Sequence, residues 1–196
     1  MKKIIAAFTA LLLAMAALPV TVVSFSRGLP SPAADASADS PQQVLQLAAG
    51  LCPKDCCDET LRAALIITRT NQKAGYEQQP TFNSDEELLS RLQKYYYSDK
   101  ELYLTENGQF RAIPFTAISN GSTVVSAEFP YLSPVASPWD CLNAQADEQA
   151  ACIGVSLCGV DYLCERGYSA EQALCYYLPG FTVSVPGARY ADVAKQ

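Results

Sequence analysis

Two aromatic residues and eight cysteines carry most of the chemistry this sequence offers. Tyr131 and Trp139 stand in the stretch Ser119 to Asp140, SNGSTVVSAEFPYLSPVASPWD, and Trp139 is the only tryptophan of the 196 residues. Pro130, Pro134 and Pro138 lock φ and remove backbone donors around these rings. That half of the segment is therefore expected to run as an ordered surface crossing, neither helix nor central strand. Rings held there have two readings. They cover the edge of the core, or they form a platform for a sugar or peptide, because aromatic faces beside polar turns suit the apolar faces of pyranose rings.

The cysteines are Cys52, Cys56, Cys57, Cys141, Cys152, Cys158, Cys164 and Cys175. In an exported domain they would be disulfides or buried thiols, and eight of them allow about 105 pairings, too many for sequence to choose among. A four-cysteine zinc site is formally open, but no ligand cluster stands out and no metal or other cofactor is expected. The chain has no histidine. Histidine acid/base catalysis, Ser-His-Asp and Cys-His arrangements and histidine-ligated metals are thereby excluded.

The net charge is −6, without a basic cluster. Nucleic acid is an unsuitable partner for such a surface, since affinity there depends on neutralising phosphates. Anionic lipid heads would repel it too. Membrane association is left to the N-terminal segment.

The elements that must position these residues follow in chain order. Lys2 and Lys3 precede an apolar run from Ile4 to Val23, so residues 1–26 read as a signal peptide or a retained anchor, with the body of the protein outside the cytoplasm. Residues 27–43, rich in Pro, Ala, Ser and Asp, read as a flexible spacer. Residues 44–196 are one domain by size, and 49% of the chain is hydrophobic, enough for a core.

Within that domain, Val44, Leu45, Leu47 and Ala48 predict a short helix broken near Pro53. Asp58 is a candidate N-cap for a second helix to about Lys73, with Leu61, Leu65, Thr68 and Gln72 on one face and Gly75 as its stop. Ser84 and Glu87 have the spacing of a capping box opening a helix to about Tyr97. Asn107-Gly108 predicts a hairpin between 102–104 and 109–118. Ser156 is expected to cap a helix through about Glu165. Ser169 and Gln172 form a second capping box, and 181–185 alternates like a closing strand.

Three stretches together resemble the stage II sporulation protein D family, also called the amidase-enhancer family. They are ETLRAALIITRT (59–70), SNGST with PYLSPVASPWD, and GVSLCGVDYLCERGYSAEQALCYYLPGFTV (154–183), in the family's order. The resemblance covers most of the chain after residue 43. It implies an α+β domain of short helices packed on a small, mostly antiparallel sheet, with the family's middle strands missing after Asp140. It also implies a sporulation or cell-wall protein, extracytoplasmic and membrane-anchored or secreted. Its partners would be peptidoglycan glycan strands and a cell-wall amidase.

The family's activity is that of a lytic transglycosylase, with a glutamate as general acid and base. The ungapped helix match sets Leu51 at that glutamate, and Asp55, Asp58 and Glu59 are the nearest carboxyls that could replace it. Thr116 stands at the family's histidine. Arg69, Ser119, Asn120, Tyr131, Trp139 and Ser156 map near the groove and are the candidate glycan-binding residues. A disulfide between the corner 52–57 and the C-terminal helices would staple a domain that has lost its middle strands. Three functions compete: a degenerate peptidoglycan-binding or amidase-partner domain, an active lytic transglycosylase with a relocated carboxylate, and a purely structural envelope scaffold.

Overall fold

The computed structural model describes residues 40–53, 55–77, 85–99, 101–142 and 151–185. The leader, most of the spacer and the Ser84 cap lie outside the described residues. Among the described residues no helix is long and apolar enough to cross a membrane. The described chain is a small α+β domain of five α-helices and two two-stranded pairings.

The first helix, α1, spans Pro41–Leu51 and takes in Pro41 to Gln43, which the sequence had assigned to the spacer. Ser40 explains the earlier start. Its hydroxyl accepts from Gln43 N, and Pro41 sits at the first position, where a missing N–H costs nothing.

Helix α2, Asp58–Lys73, is the centre of the domain. It packs against α1, against α3 (Glu86–Ser98), α4 (Leu157–Cys164) and α5 (Ala170–Tyr177), and against strand β1 (Tyr103–Glu106). Every residue from Thr60 to Asn71 except Arg62 is buried, far beyond the single face expected. Its interior polar groups serve as docking points. Thr70 Oγ1 donates to Ile66 O and accepts from Leu104 N at 2.9 Å. Asn71 exchanges two hydrogen bonds with the backbone of Ile113, 2.7 and 3.0 Å. Gly75 stops the chain at φ +67°, as expected of a left-handed terminus.

Two caps differ from expectation. Cys57, not Asp58, precedes α2, because Asp161 Oδ1 accepts its backbone N–H at 3.0 Å and holds it extended. Asp85 caps α3 by accepting from Glu87 N and Leu88 N. Ser156 and Ser169 cap α4 and α5 as their spacing predicts, the latter with a complete capping box through Gln172.

The hairpin is also corrected. Asn107 and Gly108 adopt positive φ, and Glu106 and Gln109 exchange backbone hydrogen bonds, but pairing stops at that bridge. Strand β1 instead pairs antiparallel with β4 (Phe181–Ser184), Leu104 opposite Val183. β2 (Phe115–Thr116) pairs parallel with β3 (Val155–Ser156). Residues 119–140 form the expected irregular crossing, tied by single bridges from Ser122 to Ala136 and Thr123 to Cys152 and ending in a 3₁₀ turn at Pro138–Leu142.

Candidate functional site

The crossing is anchored by one buried carboxylate. Asp140, 2% exposed, is the buried residue of the 3₁₀ turn. Its Oδ2 accepts from Ser119 N at 3.0 Å, from Ser119 Oγ, from Ser137 Oγ at 2.9 Å and from Ser156 Oγ at 2.6 Å. Ser119 and Ser156 are therefore fully buried cross-links between the crossing and the start of α4. The Asp140 oxygen Oδ1 is buried and lacks a hydrogen-bond partner among the described residues.

A second network sits beside it. Tyr177 Oη meets Ser137 Oγ at 2.6 Å and accepts from Trp139 Nε1 at 3.0 Å. Burial pushes the Tyr177 phenol up, so it stays neutral in this contact. Gly159 makes the approach possible: a Cβ there would stand 1.8 Å from Tyr177 Oη and 2.8 Å from Trp139 Nε1.

Trp139 is thus locked at its nitrogen and stacked on its face. The indole lies parallel to Tyr162, with centroids 5.3 Å apart and planes 8° apart, and Tyr176 leans on it at 5.4 Å. With ring contact at about 3.5 Å, the first separation means an offset of roughly 4 Å, and the Arg166 guanidinium lies over the Tyr162 ring, 3.2 Å from its centroid. Both rings line an open cleft of about 340 Å³ together with Pro53, Asp140, Cys158, Asp161 and Glu165. Asp161 and Glu165 lie one turn apart on α4 and at its C-cap. Aromatic surface and carboxyl groups on one concave wall are the features by which a protein holds a sugar ring: apolar contact on one side, hydroxyl acceptors beside it.

The other sequence-derived candidates are placed elsewhere. Arg69 is buried on α2, where it donates to Tyr96 O at 3.1 Å and lies 4.6 Å above the Tyr96 ring, pinning α3 to α2. Tyr131 donates to Ala112 O at 2.8 Å and packs edgewise on Phe129, with Arg111 over its ring. Asn120 is exposed beside the buried Ser119. Only Trp139 of the six lines the cleft. Tyr162, Asp161 and Glu165 escaped the sequence reading because they belong to a helix recognised by its cap and apolar residues, and nothing local marks which side meets the crossing.

Leu51 is 6% exposed and packs in the hydrophobic core, so the position aligned with the family glutamate faces no solvent. The three fallback carboxyls are also occupied or turned away. Asp58 accepts from Tyr95 Oη at 2.5 Å and from Arg91 at 2.7 Å, contacts that hold its carboxyl below the usual range. A general acid needs the opposite shift. Glu59 binds Arg62 at 2.8 Å and accepts from Ala170 N at 2.8 Å, joining the starts of α2 and α5. Asp55 lines a different cleft, beside Cys52 and Arg91. Thr116, at the position matched to a histidine, donates to Ile118 O at 3.0 Å, and its Oγ1 lies 2.9 Å from Cys152 Sγ.

All eight cysteines are free thiols, so the expected staple from the corner 52–57 to the C-terminal helices is not formed. Thr60 Oγ1 donates to Asp161 Oδ1 at 2.7 Å and lies 3.2 Å from Cys57 Sγ. No group of three or more histidine, cysteine, aspartate or glutamate side chains among the described residues is arranged to hold a metal ion.

No family model matches the chain, and no curated protein matches it either.

Proposed function

We propose that this is an exported cell-wall protein of the stage II sporulation protein D type that binds peptidoglycan glycan strands without cleaving them, alone or as partner of a cell-wall amidase. The observation that carries the reading is the Trp139–Tyr162 pair on the wall of an open cleft with Asp161 and Glu165. Three sequence stretches in the family's order favour the cell-wall context. The buried side chain at Leu51 and the engaged carboxyls at Asp58 and Glu59 favour binding over hydrolysis.

Cosedimentation with purified peptidoglycan tests the reading, with mass spectrometry of the supernatant for released sugars. Binding that is lost in Trp139→Phe/Tyr162→Ala, with no released product, is the expected result. Absence of binding by the native chain would leave a scaffolding role. Release of anhydro-muramic products would instead make the protein an active transglycosylase, and Asp161 and Glu165 would become the first carboxyls to replace.

A further inference from the structure

The cleft beside Trp139 is acidic as well as aromatic. Asp140, Asp161 and Glu165 line it, and among the described residues no lysine or arginine does. Asp161 is half-buried, and both of its hydrogen bonds fall on Oδ1, 3.0 Å from Cys57 N and 2.7 Å from Thr60 Oγ1. These contacts fix the carboxyl while its second oxygen is left for another donor. Glu165 is exposed, and its 4.0 Å ion pair with Arg166 is a surface contact of little strength. The Arg166 guanidinium is held by Tyr162 instead, donating to its backbone O at 3.0 Å and lying over its ring.

Asp140 adds a demand of its own. Four donors converge on Oδ2, whereas Oδ1 is buried without one, on a residue that belongs to the wall of this same cleft. A buried acceptor left in that state costs free energy that a donor-rich ligand can offset.

A ligand suited to such a wall brings apolar ring surface for Trp139 and positively charged donors for the carboxyls. An amino sugar does both. Its pyranose face packs on the indole, and its ammonium supplies three N–H donors together with a charge that an indole face also attracts. An N-acetylated sugar offers one amide donor and sets a carbonyl oxygen among carboxyls. A muramic acid unit adds a carboxylate, which this cleft repels.

We infer that the cleft selects a glucosamine unit whose nitrogen carries no acetyl group, its ammonium held by Asp161 and Glu165 and its ring on Trp139. The inference rests on the reading of this cleft as a glycan site and names the sugar it prefers.

Titration of the full chain with glucosamine tetramer, N-acetylglucosamine tetramer and tetralysine, at about pH 6 so that amines are protonated, tests this through the fluorescence of Trp139. The glucosamine tetramer is expected to bind about tenfold more tightly than the acetylated one, the scale of one charge-assisted hydrogen bond, and Glu165→Gln or Asp161→Asn to lower that ratio about threefold or more. Asp161 also holds the start of α2, so Glu165→Gln, at an exposed side chain, decides the matter should the other variant fold poorly. Equal affinity for the two sugars, tighter binding of the acetylated one, or a ratio unchanged by Glu165→Gln would overturn the preference and leave the glycan reading standing. Tetralysine binding as tightly as the amino sugar would overturn it too, since charge alone would then suffice. Binding of neither sugar would remove both this inference and the glycan reading beneath it.

Discussion

Asp140 and Ser156, 16 positions apart, are joined by a 2.6 Å hydrogen bond that fastens the irregular crossing to the first turn of α4. The same oxygen takes three further donors, and the Ser156 hydroxyl also accepts from Gly159 N at 3.3 Å. Replacing Asp140 by alanine strands buried hydroxyls and a backbone donor. The expected loss is about 3 kcal/mol, read by urea denaturation, with Ser156→Ala costing about 1 kcal/mol through the cap.

Gly159→Ala sets a methyl group where Tyr177 Oη now stands. The Tyr177 contacts to Ser137 and Trp139 must separate, at a cost of about 1–3 kcal/mol. Because Trp139 is the only tryptophan, its fluorescence reports the disturbance at one site. An unchanged emission spectrum and thermal midpoint would refute the tight packing described.

Tyr131 and Trp139 are expected to separate in glycan cosedimentation. Tyr131→Ala leaves binding within about twofold of the native chain, since that ring packs on Phe129 rather than in the cleft. Trp139→Ala removes a large part of the apolar wall and lowers binding by about tenfold or more, on the scale of one aromatic anchor.

Leu51→Glu is expected to weaken the fold without producing cleavage. A carboxylate placed at this position enters the hydrophobic core, and the variant should lose about 3 kcal/mol or more in urea denaturation. Stable folding together with released sugar products would show that the position opens onto the cleft after all.

Asp58 gives a small pH effect with a definite sign. Its folded carboxyl is held low, first by Tyr95 and then by Arg91, so the favourable contribution is complete above the unfolded value of about 3.9 and is lost as pH falls through the lower folded value. The group is largely exposed, so solvent screening keeps the contribution below about 1 kcal/mol. Asp58→Asn should flatten this acid limb in urea titrations run from pH 5 downward, leaving stability at neutral pH little changed.

Local chemistry was readable in the chain and tertiary choice was not. Ser156, Ser169 with Gln172, and Gly75 were legible because a cap or a left-handed stop is fixed within four residues. Asn107-Gly108 correctly marked a turn, yet β1 bonds to β4, because pairing depends on which strand the core delivers and not on the turn alone. Cys57 replaces Asp58 as the residue before α2 through a hydrogen bond from 104 positions away. The cleft was half legible: the prolines and Trp139 announced a fixed aromatic, while Tyr162, Asp161 and Glu165 became its neighbours only through the docking of α4 under the crossing.

The pairing of β1 with β4 and the encasement of α2 together impose an order on assembly. Thr105 and Thr182 meet across 77 positions, and Glu59 receives the Ala170 N–H across 111. A chain still lacking its last helices therefore carries its most buried helix uncovered, and cannot complete the domain until nearly all of it is present. High-separation contacts of this kind slow folding. The fold closes only when its C-terminal segment arrives.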